Sequence, residues 1–265
     1  MPAIELSRLK LQAAQLAENF HDPAAYIRAC EDLFEFYADR THRPGEAGSP
    51  PPIIPTYKVP GPVLRRILLE LDPLAQADTA GALALADAFW EKGVLEFRLM
   101  AANLLGMVDP TDLQPILTRV ESWNAANQEE TLLAAIADKG LARLRVESRE
   151  LFIEQLEDWL SSIELAVQKL GLQALLALVD QPRFQNLPVA FRLLAPLIQE
   201  APRELRPYML DILRPLAQRS PQETAYFLRQ AVTQGRAPTA LWLARHALDF
   251  FPEENRQKLR ETLRR

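Results

Sequence analysis

Apolar residues recur along the chain at the spacing of one face of an α-helix, and the alternation of a half-buried strand is nearly absent. Two such apolar stripes are Phe97, Met100, Ala101, Leu104 and Leu105, and Leu165, Leu172, Leu175, Leu176 and Val179. Stripes of this width belong to helices that pack against other helices. The pattern predicts an all-α protein with helix in more than about 65% of its residues, against about a third in an average globular protein.

Prolines mark the ends of the predicted helices. The dipeptides Asp-Pro at 109–110, Ala-Pro at 201–202 and 237–238, and Ser-Pro at 220–221 divide the chain into helices of roughly 12–18 residues. Only 9 glycines accompany the 21 prolines. This usage favours a series of helical hairpins over an α/β enzyme.

The predicted helical pairs repeat at a nearly constant interval. New pairs begin near residues 94, 128, 162, 203 and 238, in steps of 34, 34, 41 and 35 residues, and Trp90, Trp123 and Trp159 keep the same interval. Stacked two-helix repeats have this period, because each pair buries its apolar face only against its neighbours. Since the TPR pattern is missing, we expect a single right-handed α-solenoid of roughly six HEAT-like repeats.

One segment, 41–62, interrupts the helical pattern with the sequence THRPGEAGSPPPIIPTYKVPGP. Its prolines remove the backbone donors that a helix needs, so we interpret it as a linker or an extended loop. It separates an N-terminal helical pair, 1–40, from the repeat solenoid, 63–265. The pair and the solenoid are predicted to form one continuous domain.

The net charge of −5 argues against a protein that covers itself with phosphate backbone. Residues 203–265 nevertheless hold 12 Lys and Arg against 7 Asp and Glu, which leaves 18 against 28 for residues 1–202. A basic C-terminal end on an acidic body could approach an anionic partner. The start, MPAIELSRLK, has no secretory pattern, and the longest apolar stretches are too short to span a bilayer. We therefore expect a cytoplasmic protein without a membrane segment.

Specific catalytic motifs are absent from the sequence. There is no P-loop, GxGxxG, HExxH or GxSxG pattern, and His21, His42 and His246 lie too far apart for a metal site. The one cysteine, Cys30, excludes an intramolecular disulfide and is interpreted as a buried thiol. We expect neither a metal nor a cofactor.

The stretch 89–110, FWEKGVLEFRLMAANLLGMVDP, places two charges within an apolar helix. Arg98 borders the apolar stripe, so its stem can lie along the stripe while its guanidinium reaches a carboxylate on an adjacent helix. Glu96 faces another direction. Packing, rather than ligand binding, is the favoured role for Arg98.

Two stretches, PTYKVPGPVLRRI at 55–67 and ALALADAFWEKGVLEFRLMAANLLG at 82–106, are similar to the N-terminal half of the AlkD-like DNA alkylation repair proteins, which are HEAT-like bacterial glycosylases. The positions that fit the family pattern are Tyr57, Val59, Pro62, Arg65, Trp90, Gly93, Glu96, Arg98, Ala101, Leu104 and Leu105, with Phe89 in place of a leucine. The likeness continues more loosely to the end of the chain, through RPYMLDILRPLAQRSPQETAYFL at 206–228.

The resemblance implies a groove in which two tryptophans and an aspartate contact the sugar of an alkylated purine and an arginine holds a phosphate. In this sequence, the first tryptophan is Trp123, but the carboxylate position is Asn127. The arginine position falls near Lys169, and the second tryptophan position near Asp211. An amide cannot offset the positive charge that develops on the sugar as a carboxylate does. Glu130, seven residues after Trp123 and so on the same helical face, is the only nearby substitute carboxylate.

Three functions remain open. The favoured one is a non-catalytic relative that engages DNA or an acidic partner through a concave face, with Lys169, Arg206, Arg214 and Arg245 as candidate contacts. The second is a DNA glycosylase that releases N3- or N7-alkylated purines. The third is a protein-interaction scaffold without a role in nucleic-acid binding.

Overall fold

The computed structural model describes residues 5–38, 53–127, 129–235 and 237–264. Helices account for 80% of the described residues, which contain no strand. The predicted all-α class is therefore confirmed, whereas the right-handed winding stays a prediction. The chain folds into two compact units, Met1–Arg149 and Glu150–Arg265. Within the predicted linker, residues 41–52 lie outside the described residues.

The first unit stacks helical pairs side by side. We call the first helix of each pair a lead helix and the second a trailing helix. The lead helices are α1 (Leu6–Ala17), α3 (Gly61–Ala77), α5 (Leu95–Leu105) and α7 (Glu130–Ala135), and each packs against the next. The trailing helices are α2 (Pro23–Tyr37), α4 (Thr79–Glu91) and α6 (Gln114–Ala125). A π-helix, Ile136–Gly140, and α8 (Ala142–Glu147) follow α7.

An aromatic cluster fills the core between α2, α4 and α5. The ring centroid of Phe97 lies 5.1 Å from that of Phe34 and 5.7 Å from that of Phe89, which in turn contacts Tyr26. Such pairs contribute beyond the area that they bury. Cys30 lies buried in the same unit, and burial raises the pKa of its thiol, so its interpretation as a buried thiol is confirmed.

The second unit repeats the arrangement. It begins with α9 (Arg149–Ser161), and its lead helices are α10 (Leu165–Val179), α12 (Arg206–Arg219) and α14 (Pro238–His246). Its trailing helices are α11 (Leu187–Glu200), α13 (Pro221–Gly235) and α15 (Glu253–Arg264), and two short 3-10 turns, Arg203–Leu205 and Leu248–Phe250, precede α12 and follow α14. The lead helices from α5 onward begin within about three residues of the predicted junctions.

Two carboxylates hold the extended segment 53–60 against the lead helices. Glu96, only 3% exposed, accepts hydrogen bonds from the Thr56 hydroxyl at 2.7 Å and from the Tyr57 and Val59 amides at 3.1 and 3.2 Å. Extended backbone outside a sheet has no ladder partners, so its amides need other acceptors. The buried carboxylate supplies them.

One repeat later, Glu129 does the same for the start of the segment. Its carboxylate accepts hydrogen bonds from the amides of Ile53 and Ile54. The Pro55 carbonyl in turn accepts from the amide of Leu95 at 2.9 Å. The part of the predicted linker that is described is therefore fixed along two successive repeats.

The π-helix is shaped by a close approach of α5. A Cβ atom added at Gly106, directly after α5, would lie 1.8 Å from the carbonyl oxygen of Lys139. Only glycine fits this contact. At Gly140, in contrast, an added Cβ would meet the Ala102 carbonyl oxygen at 3.5 Å, which is an ordinary contact distance.

Arg145 donates hydrogen bonds to two carbonyl groups of the π-helix. Its guanidinium is buried, and it donates to the carbonyl oxygens of Ala137 at 3.2 Å and Asp138 at 3.0 Å, and to the Asp138 carboxylate at 3.1 Å. Burial lowers the pKa of the Arg145 guanidinium, and the Asp138 carboxylate opposes that shift. The wide turn is thereby fixed by a side chain from the following helix.

Gly106→Ala should lower the free energy of unfolding by about 1–3 kcal/mol, because the new methyl group forces α5 and the π-helix apart. Gly140→Ala, on the other side of the same contact, should change it by less than about 0.5 kcal/mol. Urea titrations followed by tryptophan fluorescence compare the two variants. Equal losses would contradict the close-approach argument.

Glu96→Gln should destabilise the protein by about 1–3 kcal/mol. A glutamine amide has only one acceptor oxygen, so its NH₂ group would face a hydroxyl or an amide N–H that now donates to the carboxylate. Glu91→Gln, at an exposed position near the end of α4, is the matched control and should leave the melting temperature unchanged. Thermal unfolding of both variants by circular dichroism checks the difference. A Glu96→Gln variant with the native melting temperature would show that the carboxylate does not hold the segment.

Candidate functional site

Trp123, which the family resemblance implies as a contact to the sugar, lies in a stack of three side chains with Trp90 and Arg98. Its ring packs face to face on Trp90, with centroids 4.6 Å apart and planes at 8°. The guanidinium carbon of Arg98 lies 4.7 Å from the centroid of the Trp90 ring. Trp123 is 5% exposed and Trp90 7%, so little of either ring is open to a ligand.

The predicted partner of Arg98 was wrong. In place of a carboxylate on an adjacent helix, its Nε donates to the carbonyl oxygen of Trp90 at 3.3 Å. The reason lies in the turn between α4 and α5, where Gly93 has a positive φ of 72° and reverses the chain sharply. The end of α4, where the Trp90 carbonyl also accepts from the amide of Gly93 at 3.2 Å, thus lies beside Arg98.

Asn127, at the carboxylate position of the resemblance, holds a turn. Its Nδ2 donates to the carbonyl oxygen of Glu129 and its Oδ1 accepts from the amide of Glu129, both at 2.9 Å. The side chain is half-buried. Its amide group is therefore engaged with the backbone that leads into α7.

The expected common face of Trp123 and Glu130 was also wrong. Helix α6 ends at Ala125 and α7 begins at Glu130, so the two residues lie on different helices and the seven-residue spacing has no helical meaning. Glu130 is exposed in the first turn of α7, where a negative charge complements the helix dipole.

In the second unit, cationic side chains lie over aromatic rings of the next lead helix. The ammonium of Lys169 on α10 is 5.5 Å from the centroid of Tyr208 on α12. The guanidinium carbon of Arg206 on α12 is 5.9 Å from the centroid of Trp242 on α14, and its Nε donates to the Thr239 hydroxyl at 3.1 Å. Both cations are half-buried. These pairs connect successive lead helices.

Two further candidate cations are exposed near the end of the chain. Arg214 on α12 lies over Phe250, with the guanidinium carbon 4.5 Å from the ring centroid, and Arg245 projects from α14. Asp211, at the second tryptophan position of the resemblance, is an exposed carboxylate on α12, three residues before Arg214. Its negative charge offsets part of the attraction that the arginines exert on an anion.

The sequence interpretation missed the aromatic partners of these cations, Tyr208, Trp242 and Phe250. Each follows its cation by about one repeat, and that spacing is the signal that could have found them. The ring of Trp242 also stacks on His246, with centroids 3.8 Å apart. His246 accordingly takes part in packing on α14.

Two negative findings apply to the described part of the chain. No group of three or more His, Cys, Asp and Glu side chains there is placed to hold a metal ion. None of the described helices combines the length and the apolar character needed to cross a membrane.

Comparison with known proteins agrees with the sequence resemblance. The family model of the DNA alkylation repair enzymes matches residues 54–251. Neither the curated proteins nor the solved structures contain a significant match. The matched range runs from the extended segment beside Glu96 to the turn after α14 and covers most of the chain. The chain therefore belongs to the DNA alkylation repair enzyme family.

Proposed function

We propose that the chain binds duplex DNA through the lead helices of its second unit and does not excise alkylated bases. Membership of the family supports a role related to DNA repair. The proposal about catalysis depends mainly on one observation, the engagement of the Asn127 amide group with the backbone of Glu129. A neutral group that holds a turn offers no carboxylate to the sugar.

Release of an alkylated purine requires stabilisation of positive charge on the deoxyribose. A preorganised partner for such charge contributes roughly 10²–10³ in rate. At position 127 the amide lacks the charge, and both of its polar atoms bind protein backbone. Neither property suits the family's chemistry.

The other positions carried over from the resemblance agree with this interpretation. Trp123 is buried against Trp90, which limits the ring surface available to a sugar. Position 211 carries an exposed aspartate in place of an aromatic ring. Lys169 keeps a positive charge but lacks the bidentate geometry with which arginine holds a phosphate.

The cations of the second unit support binding. Arg214 and Arg245 are exposed. Toward the described residues, Arg206 commits only its Nε, to the Thr239 hydroxyl, so its other guanidinium donors remain for phosphate oxygens. The rings of Trp242 and Phe250 restrict the two arginines that lie over them. A restricted cation loses less side-chain entropy when it binds a phosphate.

Native protein should release no detectable 3-methyladenine or 7-methylguanine from alkylated duplex DNA. The loss of the carboxylate and of one aromatic contact should bring the rate close to background. The assay is single-turnover excision with protein in excess, with detection of the free base. Trp123→Ala and Glu130→Gln are run beside the native protein. Excision by the native protein that either substitution abolishes would contradict the proposal and restore the glycosylase.

Duplex DNA should bind weakly and with a strong salt dependence. Four phosphate contacts give a slope of log K against log salt of about −4 at most. Arg214→Ala with Arg245→Ala should reduce the steepness of this slope by about two and weaken binding about tenfold at low salt. Fluorescence anisotropy with a labelled duplex measures both quantities.

The matched control removes two arginines from trailing helices, Arg229→Ala with Arg260→Ala, which changes the net charge by the same amount. This variant should bind DNA as the native protein does. Equal losses in the two double variants would mean that only net charge matters and would contradict the assignment to the lead helices. Preference for an acidic polypeptide over DNA in the same assay would favour a protein partner instead.

A further inference from the structure

A cavity of about 450 Å³ opens between three lead helices of the first unit, and none of the second-unit residues proposed to bind DNA lines it. Its size lies in the usual range for small-ligand sites, about 300–1,000 Å³. It is bounded by α3 on one side, α5 in the middle, and α7 with the π-helix on the other side. Its walls include Arg65 and Leu68 from α3, Leu99 and Asn103 from α5, and Ala134 from α7.

The π-helix places two charged side chains at this cavity. Asp138 and Lys139 lie within Ile136–Gly140, the wide turn that Gly106 and Arg145 fix in place. Single π turns inside helices occur frequently at functional sites. Here a glycine, Gly106, and a buried arginine, Arg145, hold the π turn in place, and the turn forms part of the cavity wall.

Positive charge exceeds negative charge around the cavity. The Asp138 carboxylate is bound on one oxygen by Arg145 and on the other by Lys139, at 3.1 and 2.7 Å. Arg65 is exposed on the opposite wall and has no hydrogen bond or ion pair with any described residue. Among the charged side chains that line the cavity, two cations, Arg65 and Lys139, thus accompany one carboxylate, Asp138, whose oxygens are already bound. An anion would be attracted to the space between Arg65 and Lys139.

The interior of the cavity is mainly apolar, and Asn103 and Thr131 are its uncharged polar side chains. Leu68 and Leu99 contribute half-buried apolar surface. Asn103 Nδ2 donates to the carbonyl oxygen of Leu99 at 2.7 Å, which directs the amide and leaves Oδ1 as an acceptor. A suitable ligand therefore combines an anionic group, an apolar body and a hydrogen-bond donor on that body.

We propose that this cavity binds one nucleotide, with the phosphate between Arg65 and Lys139 and the base on the leucine surface, where a base N–H donates to Asn103 Oδ1. A fatty acid would match the charge and the apolar surface but has no donor for Asn103. The nucleotide comes either free from solution or as an unstacked nucleotide of bound DNA. The second source rests on the proposed DNA binding.

The first arm of the test uses free ligands. Calorimetry or ligand-detected NMR should show that dTMP binds and that thymidine, which lacks the phosphate, binds about tenfold more weakly. Arg65→Gln should remove this difference between dTMP and thymidine. Decanoate serves as the fatty-acid probe, and its binding in preference to dTMP would overturn the proposal.

The second arm uses two DNA duplexes that differ only in one extrahelical 2-aminopurine. The bulged duplex should bind about tenfold more tightly than the fully paired duplex. Its 2-aminopurine fluorescence should change on binding, because the base leaves water for the leucine surface. Binding of the paired duplex with no preference for the bulge, together with no dTMP binding, overturns the cavity proposal and leaves the proposed DNA binding intact.

A variant with a bulky side chain in the cavity tests whether the ligand binds there or on another basic surface of the protein. Ala134 is exposed on α7 at the cavity wall, so Ala134→Trp adds an indole without removing a charge or a core side chain. Ala84→Trp, on the exposed side of α4, is the matched control. Ala134→Trp should lose dTMP binding and the preference for the bulged duplex, and Ala84→Trp should keep both. Unchanged dTMP binding in Ala134→Trp overturns the proposal. If the native protein binds dTMP but no DNA, and Ala134→Trp loses the dTMP binding, the cavity is supported with the free nucleotide as its ligand.

Discussion

The buried carboxylate of Glu96 is the interaction on which the start of the repeat region depends. It accepts from one hydroxyl and two backbone amides of the segment 53–60, and this segment leads directly into α3. A buried carboxylate is costly unless donors surround it, and the amides of an extended segment are costly unless acceptors reach them. The amides supply the donors that the Glu96 carboxylate needs, and the carboxylate supplies the acceptors that the amides need. Glu129 repeats the arrangement one helical pair later, so the segment is held in register with two successive lead helices.

The same region supports the proposal that the family's chemistry does not transfer to this chain residue by residue. The turn between α6 and α7 carries Asn127, and the amide that stands at the carboxylate position closes the turn on Glu129. Glu129 in turn binds the extended segment through its side chain. Position 127 is thus coupled to the contacts that fix the beginning of the repeats, and its side chain acts on protein backbone.

The helical class, the repeat interval and the starts of the lead helices from α5 onward could be predicted from the sequence, because each depends on local periodicity and on proline at the junctions. The partner of Arg98 could not be predicted, since it depends on the reversal at Gly93 that brings the Trp90 carbonyl beside it. The common face of Trp123 and Glu130 failed for a related reason, because the helix ends at Ala125 without a proline or a glycine to mark it. The hydrogen bonds from the segment 53–60 to Glu96, and the π-helix, depend on contacts between segments that are distant in sequence. The periodicity of the sequence carries no information on such contacts.

An aspartate at position 127 would change the contacts that hold the turn before α7. An aspartate has no N–H, so the carbonyl oxygen of Glu129 would lose the donor that Asn127 Nδ2 now provides. The new carboxylate would also stand beside the Glu129 side chain, whose own charge is bound to the amides of Ile53 and Ile54. Both changes would loosen the turn that Asn127 closes on Glu129, and the Glu129 carboxylate also holds the extended segment. The amide at this position therefore belongs to the set of contacts that fixes the turn before α7 and, through Glu129, the extended segment.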